Sequence, residues 1–333
     1  MSVLSRWRRP LLMPLAPTSG VLLGVLALFV FFSLATPFFF NVNNFINIGQ
    51  QSAVLAVAAF AMTFIILSGE IDLSMGAVGA IAGVLTAMAL RDGLHLPLAV
   101  LIGLGTGAMA GLLNGFISMR FGVPSFIVTL GVASIARAIS RTITQNRPVS
   151  VLDETYLSLF SDARLLGLTI NVWYVGLLFV LLYVLLMRTP FGMAVFAVGG
   201  NRQAAHLSGI PAARVKVIVF VLAGALVGFA GILQAARLGS ARVDPINNLE
   251  LDAIAAVVLG GTSFSGGRGS LVRTLLGILL IGILNNGLSL MNVDSYWQLV
   301  IKGGIVIGAV LLDRWWVTAS RSRQPVQDKE KRA

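Results

Sequence analysis

The chain has 333 residues, of which 57% are hydrophobic and only 11% charged, and its mean hydropathy is +0.90. Soluble domains are about 45–50% apolar and about 25% charged, so this composition excludes an ordinary soluble protein and indicates a lipid environment. The 24 Lys and Arg outnumber the 13 Asp and Glu but lie between long apolar runs, which argues against a nucleic-acid reader. With no cysteine and two histidines, disulfides and Cys-ligated metals are excluded, and little remains for imidazole catalysis.

Ten apolar segments follow the basic N-terminus. A helix needs about 20 residues to cross the hydrocarbon, and the eighth segment is too short to span alone. The Ala, Leu and Gly content without sustained polar alternation favours helices over strands. In chain order the segments are 20–38, 50–68, 74–90, 96–117, 125–143, 172–187, 214–236, 251–262, 271–291 and 297–313. The sequence therefore predicts an all-α, polytopic membrane helix bundle of about ten transmembrane segments, some of them discontinuous.

The distribution of Lys and Arg predicts the orientation. Residues 1–19 carry a basic cluster without a persuasive cleavage site, so the first span is expected to be an uncleaved helix. With both termini in the cytoplasm, most basic residues fall on inner segments, as basic residues hold loops on that side. The predicted organisation is a cytoplasmic N-terminus at 1–19, a transmembrane domain at 20–313 with a large inner loop at about 188–216, and a cytoplasmic tail at 314–333.

Two stretches of small and polar residues interrupt the helical pattern. The first break spans residues 68–74 and the second spans residues 260–270. Each follows a leucine, Leu67 or Leu259, and precedes a helix with spaced glycines, so the breaks are interpreted as corresponding points of two structural halves. Helix ends at such breaks in transporters face a cavity and meet the substrate. The alternative interpretation is a pair of tight cytoplasmic turns.

Polar residues in or near the spans are the candidates for a substrate pathway. Carboxylates near membrane depth usually mark function or a water-filled space. Glu70 is expected to lie beside that space, among hydroxyls and backbone amides, whereas Asp72 is expected chiefly to cap the following helix. Each polar residue within the spans has an alternative role as an interhelical hydrogen-bond partner. The pathway candidates are Ser68, Glu70, Asp72, Asn114, Asn285 and Asn286; further polar span residues are Ser125, Thr129, Gln234 and Gln298.

The inner loop contains a predicted short helix over residues 202–208. Asn201 suits its N-cap, Gly209 fits the position just past its end, and Pro211 prevents continuation. An exposed apolar patch of Ala204, Ala205 and Leu207 is expected on this helix. Such a helix is shaped for docking into a groove of another protein; the alternative is an amphipathic loop helix at the lipid surface.

The stretch from Gly199 to Ile210 closely resembles the cytoplasmic coupling segment of ribose-type bacterial ABC importer permeases. That family has the phrase Ile-Leu-Ser-Gly-Gly-Ile-Asp-Leu-Ser-Val-Gly, and residues 66–76 match it except for Glu70 and Met75. Its Leu-Gly-Gly-Thr-Ser and Gly-Gly-x-Gly-Ser patterns recur at 259–263 and 266–270. The resemblance spans about residues 40 to 315, with the motifs in the family's order and spacing.

The resemblance implies a permease subunit in the bacterial inner membrane. Its implied partners are a second permease copy or a paralogue, two cytoplasmic ATPase domains, a periplasmic sugar-binding protein and membrane lipid, with no nucleic acid. No lysine follows a Gly-x-x-x-x-Gly, so this chain has no P-loop, and ATP hydrolysis is expected in a separate subunit. No catalytic residue, cofactor or metal is expected here. The implied ATPase-coupling residues are Gly200, Asn201, Arg202, Ala204, Ala205, Leu207 and Gly209.

The leading functional hypothesis is translocation of a monosaccharide that a periplasmic binding protein delivers, driven by the ATPases. The alternatives are an ABC permease for nucleosides or branched-chain amino acids and, less favoured, a secondary sugar transporter coupled to an ion gradient through Glu70, Asp72, Arg137 or Lys302. A membrane enzyme is the weakest hypothesis, because the spans contain no His, Cys or carboxylate cluster with catalytic spacing.

Overall fold

The computed structural model describes residues 16–243 and 248–322, which form a bundle of helices with four two-residue strands. The helices are α1 (Ala16–Ala35), α2 (Val42–Leu67), α3 (Met75–Arg91), α4 (Leu96–Phe121), α5 (Ser125–Thr144), α6 (Glu154–Leu157), α7 (Ile170–Arg188), α8 (Pro190–Gly200), α9 (Arg202–Leu207), α10 (Ala212–Leu238), α11 (Leu249–Leu259), α12 (Leu271–Leu290) and α13 (Ser295–Ser322). A π-helical turn, Ser158–Asp162, follows α6. The predicted termini at 1–19 and 314–333 lie mostly outside the described residues, although α1 and α13 extend into them.

Among the described residues, six helices are long and apolar enough to cross a membrane: α2, α4, α5, α7, α10 and α12. Shorter apolar helices are Gly20–Ala35, Met75–Arg91 and Pro190–Gly200. A polytopic helical membrane protein is thus confirmed, while the total of about ten segments stays a prediction. Helix α11 has 11 residues and is about 16 Å long, roughly half the hydrocarbon thickness, so it is too short to span alone, as expected.

Helices α2 and α10 form the centre of the bundle. Every residue of α2 from Ser52 to Leu67 is buried, and α10 packs against α2, α3 and α4. Glycines let α4 and α10 approach closely: a Cβ at Gly228 would lie 2.7 Å from the carbonyl oxygen of Gly103. Small residues at such contacts are typical of helix packing in lipid. The buried part of α2 and most of α10 are therefore covered by protein, and the remaining helices pack around this pair.

The strands and the segment between α5 and α7 were not expected for an all-α chain. Strand β1 (Val149–Ser150) pairs antiparallel with β4 (Ser240–Ala241), and β2 (Arg164–Leu165) pairs with β3 (Leu168–Thr169). Tyr156 anchors this segment, because its side chain is fully buried and its hydroxyl donates to the carbonyl of Ile232 at 2.7 Å. Two-residue ladders carry too little alternation to be visible in sequence.

Candidate functional site

The first break begins with a turn at Ser68 and Gly69, which has φ +79°, and then continues into the bundle without helical structure until α3 begins. Glu70 contacts Lys216 near the start of α10, whereas Gly79 in the first turns of α3 faces Val227, eleven residues further along α10. At 1.5 Å per residue, these levels differ by about 16 Å along the α10 axis. Helix α3 therefore begins well inside the bundle, and residues 68–74 connect the end of α2 to that point.

Side chains of α5 satisfy the exposed backbone of the first break. The Ile71 N–H donates to Ser125 Oγ at 3.2 Å, and the Leu73 N–H donates to Thr129 Oγ1 at 3.1 Å. The two hydroxyls are one helical turn apart, and the two N–H groups are two residues apart on an extended chain, so both pairs form at once. Each buried N–H group that lacked a partner would cost about 1–3 kcal/mol.

Asp72 fixes the entry into α3. Its carboxylate is buried and accepts hydrogen bonds from the Ser74 N–H at 2.8 Å and the Ser74 hydroxyl at 2.6 Å. The Ser74 hydroxyl in turn accepts from Asn114 Nδ2 on α4 at 2.9 Å. Ser74 is the N-cap residue of α3, so Asp72 positions the cap residue and, contrary to the expectation, does not cap the N–H groups of the helix itself; Asn114 belongs to the same hydrogen-bond chain.

Glu70 forms an ion pair with Lys216 of α10, and both side chains are largely buried. The expected surroundings of Glu70, hydroxyls and backbone amides, were therefore wrong. The reason is that α10 begins directly beside the break and presents Lys216, a residue more than 140 positions away that local sequence does not connect with Glu70. Removing one partner of a buried pair usually costs about 3–5 kcal/mol.

The second break contacts the end of α2 and the first break chiefly through backbone groups. The Gly267 N–H donates to the carbonyl of Leu67 at 2.9 Å. Gly266 has φ +81°, and a Cβ there would lie 2.9 Å from both the Gly199 carbonyl oxygen and the Gly69 Cα. A Cβ on Gly199 would lie 2.8 Å from the Gly267 nitrogen. We call this contact the glycine junction; its members are Gly69, Gly199, Gly200, Gly266 and Gly267.

Helix α9 lies in the predicted inner loop and directly follows the glycine junction. Asn201 Oδ1 accepts from the Ala204 N–H at 2.9 Å, and Gly209 has φ +80°, so the predicted N-cap and C-terminal glycine are confirmed. Ala204 is exposed and Leu207 is 82% exposed. The expected exposure of Ala205 was wrong: its side chain packs into the core, because it lies about 100° around the helix from Ala204.

The inner loop exposes four further predicted coupling residues and contains a second helix. Gly200, Asn201, Arg202 and Gly209 are exposed. The preceding helix, α8, was missed in the sequence. Its start was detectable, since Thr189 precedes Pro190 at the first helical position, and Thr189 Oγ1 accepts from the Gly192 N–H at 3.3 Å. Helices α8 and α9 together connect α7 to α10.

A cavity of about 170 Å³ lies between α2, α10, α11 and α12, at the far end of α10 from α9. Its polar lining residues are Gln51, Ser52, Gln234, Arg237, Asp252 and Asn285. Of the six pathway candidates, only Asn285 lines this cavity. Glu70, Asp72 and Asn114 gather at the first break instead.

The last two pathway candidates make local or interhelical hydrogen bonds. Ser68 is fully buried, and its hydroxyl donates to the Ile65 carbonyl at 2.8 Å. Asn286 exchanges two hydrogen bonds with Asn44 of α2, at 2.8 and 3.0 Å. Such reciprocal amide pairs satisfy both side chains and hold α12 against α2.

Sequence reasoning missed two carboxylates at the start of α11. Asp252 forms an ion pair with Lys302 of α13 at 2.9 Å. Glu250 lies 3.7 Å from Arg137 of α5 and accepts from the Gly76 N–H of α3 at 3.2 Å. Two acidic residues at the head of an apolar run were the available signal, since carboxylates at membrane depth need a partner.

Comparison with known proteins gives relatives along most of the chain. The family model described as branched-chain amino acid transport system / permease component matches residues 44–310. The chain is 43% identical to the ribose import permease of Bacillus subtilis (strain 168) over 296 residues, which cover 89% of this chain and 92% of that protein. It is 40% identical to the ribose import permease of Escherichia coli (strain K12) over 295 residues, 88% of this chain and 92% of the other.

A third relative is the L-arabinose ABC transporter permease of Azospirillum brasilense, 34% identical over 297 residues, which cover 89% of this chain and 87% of that protein. No solved structure matches the chain significantly. The matched range, 44–310, includes both breaks, the inner loop and the residues that line the cavity. The chain therefore belongs to the family described as branched-chain amino acid transport system / permease component, and it is a multi-pass inner-membrane transport subunit rather than an enzyme.

Proposed function

We propose that this chain is the permease subunit of an ATP-driven importer that translocates a monosaccharide delivered by a periplasmic binding protein. The similar permeases from three species named above and the D-allose permease of Escherichia coli, 36% identical over 286 residues, are all named for monosaccharides. Specificity for nucleosides or branched-chain amino acids has no such support. The ATPases reside in two separate cytoplasmic domains, and a second copy or a paralogue completes the membrane pathway.

The glycine junction is the observation that carries the mechanism. It places the end of α8, which leads into α9, in backbone contact with both breaks. Backbone contacts leave no flexible side chain to absorb a displacement, so movement of α9 reaches both breaks directly. ATP-driven closure of the ATPase dimer would thus be transmitted from α9 to the two helix interruptions that shape the pathway.

The topology completes the proposal. Ten segments cross the membrane: α1, α2, α3, α4, α5, α7, α10, α11, α12 and α13, with the short α11 crossing together with the chain segments that flank it. Both termini and residues 188–216 then lie in the cytoplasm, as the excess of inner Lys and Arg requires. A cysteine introduced at Gln203, in a chain without native cysteine, should be labelled from the cytoplasmic side only. Labelling from the periplasm in intact cells contradicts this orientation.

The pathway residues take two roles in this proposal. Asn285 lines the cavity at the outer end, while Glu70, Asp72 and Asn114 hold the first break in shape. Asn286 and its partner keep α12 in register with α2, and Ser68 ends α2 locally.

Uptake by the complex reconstituted in proteoliposomes tests the function. With the ATPase and binding protein present, we expect ATP-dependent uptake of a labelled pentose or hexose and none of leucine or adenosine. Omitting the ATPase should abolish uptake. Uptake that persists without the ATPase and follows an imposed proton or sodium gradient contradicts the proposal and supports secondary transport.

Substitutions on α9 test the docking role. Ala204→Asp or Leu207→Asp would bury an unpaired carboxylate in the ATPase groove, at a cost of several kcal/mol. We expect both variants to insert normally but to lose ATPase binding in a pull-down and to lose uptake. Gln203→Glu, which adds a charge at an exposed neighbouring position, serves to identify general charge effects. Full binding and uptake by either Asp variant would show that α9 is only a surface helix.

A further inference from the structure

The cavity between α2, α10, α11 and α12 is separate from the glycine junction. Gln234 and Arg237 line it from the last turns of α10, whereas Lys216 lies near the beginning of that helix. The 18 residues from Lys216 to Gln234 correspond to about 27 Å of helix. Its volume of about 170 Å³ is several times the roughly 30 Å³ that one water occupies in the liquid. The space is therefore large enough for a small polar molecule.

The lining offers hydrogen-bond donors and acceptors in a mixed arrangement. Asp252 supplies a carboxylate acceptor and Arg237 a guanidinium donor, while Gln51, Gln234 and Asn285 supply amides with both functions. Val54, Leu55 and Leu249 complete the wall. A cavity with convergent polar groups on an apolar wall is the usual form of a small-molecule site.

Two buried lining atoms have no hydrogen-bond partner within the described part of the chain. They are Ser52 Oγ, on a side chain that is 8% exposed, and Asn285 Oδ1. Buried polar atoms are nearly always paired, because an unpaired one costs about 1–3 kcal/mol. Both residues border the cavity, so a ligand hydroxyl or water there would satisfy them.

Asp252 is held in a fixed position. Lys302 Nζ donates to its Oδ2 at 2.9 Å, and Asn285 Nδ2 lies 3.4 Å from the same oxygen. Among the described residues no donor bonds its second oxygen, Oδ1, which can therefore accept from a ligand. Lys302 balances the charge of Asp252, so a neutral molecule rich in hydroxyls can donate to this carboxylate and accept from Arg237, which also lines the cavity.

We infer that this cavity is a binding site for the transported sugar, in which Asp252 accepts hydrogen bonds from ring hydroxyls while Ser52 and Asn285 pair with neighbouring hydroxyls. The inference rests on the proposed function and adds to it a specific site and ligand class, a neutral polyhydroxy compound. Asp252 is then a specificity-determining residue, and Lys302 of α13 positions its carboxylate.

Ser52→Cys tests the site directly, since this chain has no native cysteine and the substitution is nearly isosteric. The full complex is labelled with a small thiol reagent, with and without ribose at a concentration that saturates uptake. We expect ribose to slow labelling at least fivefold, and leucine, which has no hydroxyl group, to slow it little. An exposed cysteine at Arg91 should be labelled at the same rate in all conditions.

Asp252→Asn supplies the second measurement. We expect at least a tenfold loss of ribose uptake with saturating binding protein, and loss of the protection seen at Ser52→Cys when the two changes are combined. Asp92→Asn is the matched control, because Asp92 is an exposed carboxylate far from the cavity, and it should leave uptake unchanged. Protection that survives Asp252→Asn overturns the role of that carboxylate.

The remaining outcomes separate the inference from the proposed function. A cysteine at Ser52 that no reagent reaches, or that ribose does not protect while the wild-type complex imports ribose, overturns the site alone. Equal protection by leucine overturns the polyhydroxy ligand class. A wild-type complex that imports no monosaccharide overturns the proposed function itself.

Discussion

Each of the two breaks follows the last leucine of a helix, Leu67 of α2 or Leu259 of α11, but the two are held in different ways. Side chains hold the first break: the hydroxyls of Ser125 and Thr129, and the ion pair of Glu70 with Lys216. Backbone groups hold the second, through the hydrogen bond from Gly267 to Leu67 and the glycine junction. The first break has several separate side-chain contacts, whereas a Cβ added at Gly266 or Gly267 of the second break would collide with backbone atoms.

This difference assigns different roles to the two breaks. A segment held by several hydrogen bonds, each contributing about 0.5–1.5 kcal/mol, can rearrange in steps. A close-packed backbone contact transmits displacement because it cannot deform continuously. The first break is thus suited to shaping the pathway, and the second to carrying movement from α9. Four sets of substitutions test this difference, from the largest expected effect to the smallest.

Lys216→Met should be the most damaging change at the first break. It leaves Glu70 largely buried without a partner, which should cost about 3–5 kcal/mol and lower the thermal stability of the purified complex. The double variant Lys216→Met with Glu70→Gln removes both charges and should recover most of that loss. If the double variant is no more stable than Lys216→Met, the ion pair does not hold the break.

Gly199→Ala should disrupt the glycine junction. Its Cβ would overlap the Leu67 carbonyl and lie 2.8 Å from the Gly267 nitrogen, so we expect a loss of about 1–3 kcal/mol together with a large loss of uptake. Gly131→Ala on α5 is the control, because no atom lies within 4 Å of a Cβ there. Thermal unfolding and ATP-driven uptake are measured side by side. Equal stability of the two variants would refute close backbone packing.

Ser125→Ala and Thr129→Val should each loosen the first break modestly. Each leaves one N–H group of the break without its hydroxyl partner, at a cost of about 1–3 kcal/mol at most. Hydrogen exchange should show faster exchange at Ile71 and Leu73 in the respective variants. Ser134→Ala, whose hydroxyl bonds only its own helix, should leave exchange at the break unchanged. If exchange at Ile71 and Leu73 is as slow in Ser125→Ala and Thr129→Val as in the control, the two hydroxyls do not support the first break.

Asp72→Ala should have the smallest effect, about 1 kcal/mol, by weakening the start of α3. Uptake should fall only in proportion to stability, whereas Glu70→Gln should alter the uptake rate. Asp72→Asn, which keeps an acceptor oxygen, should behave nearly like the wild type. Abolished transport at unaltered stability in Asp72→Ala would reverse these roles and place Asp72 on the pathway.

The sequence predicted those parts of the molecule that depend on local pattern. Apolar runs predicted the long helices. Asn201 as the N-cap and Gly209 after the C-terminus predicted α9, whose end differs from the prediction by one residue. Both breaks were recognisable because small polar residues interrupt apolar runs. Helix α8 was missed because its composition is as apolar as a span while its length is only 11 residues.

The candidate site was less predictable, since its contacts join distant positions. Glu70 with Lys216 and Asp252 with Lys302 are separated by 146 and 50 residues, and no local spacing connects either pair. Ala205 is buried because of the way α9 packs against the core. The sequence of a six-residue helix does not determine that packing. Tertiary packing, and not residue type, decides these features.

The central claim is that α9 and the second break move as one unit. Electron spin resonance on nitroxide pairs in the reconstituted complex measures this most directly, with one pair at Gln203 and Ser265 and a reference pair at Gln203 and Asp92. On ATP binding, the account predicts an unchanged Gln203 to Ser265 distance and a changed Gln203 to Asp92 distance. A Gln203 to Ser265 distance that changes as much as the reference distance would contradict it.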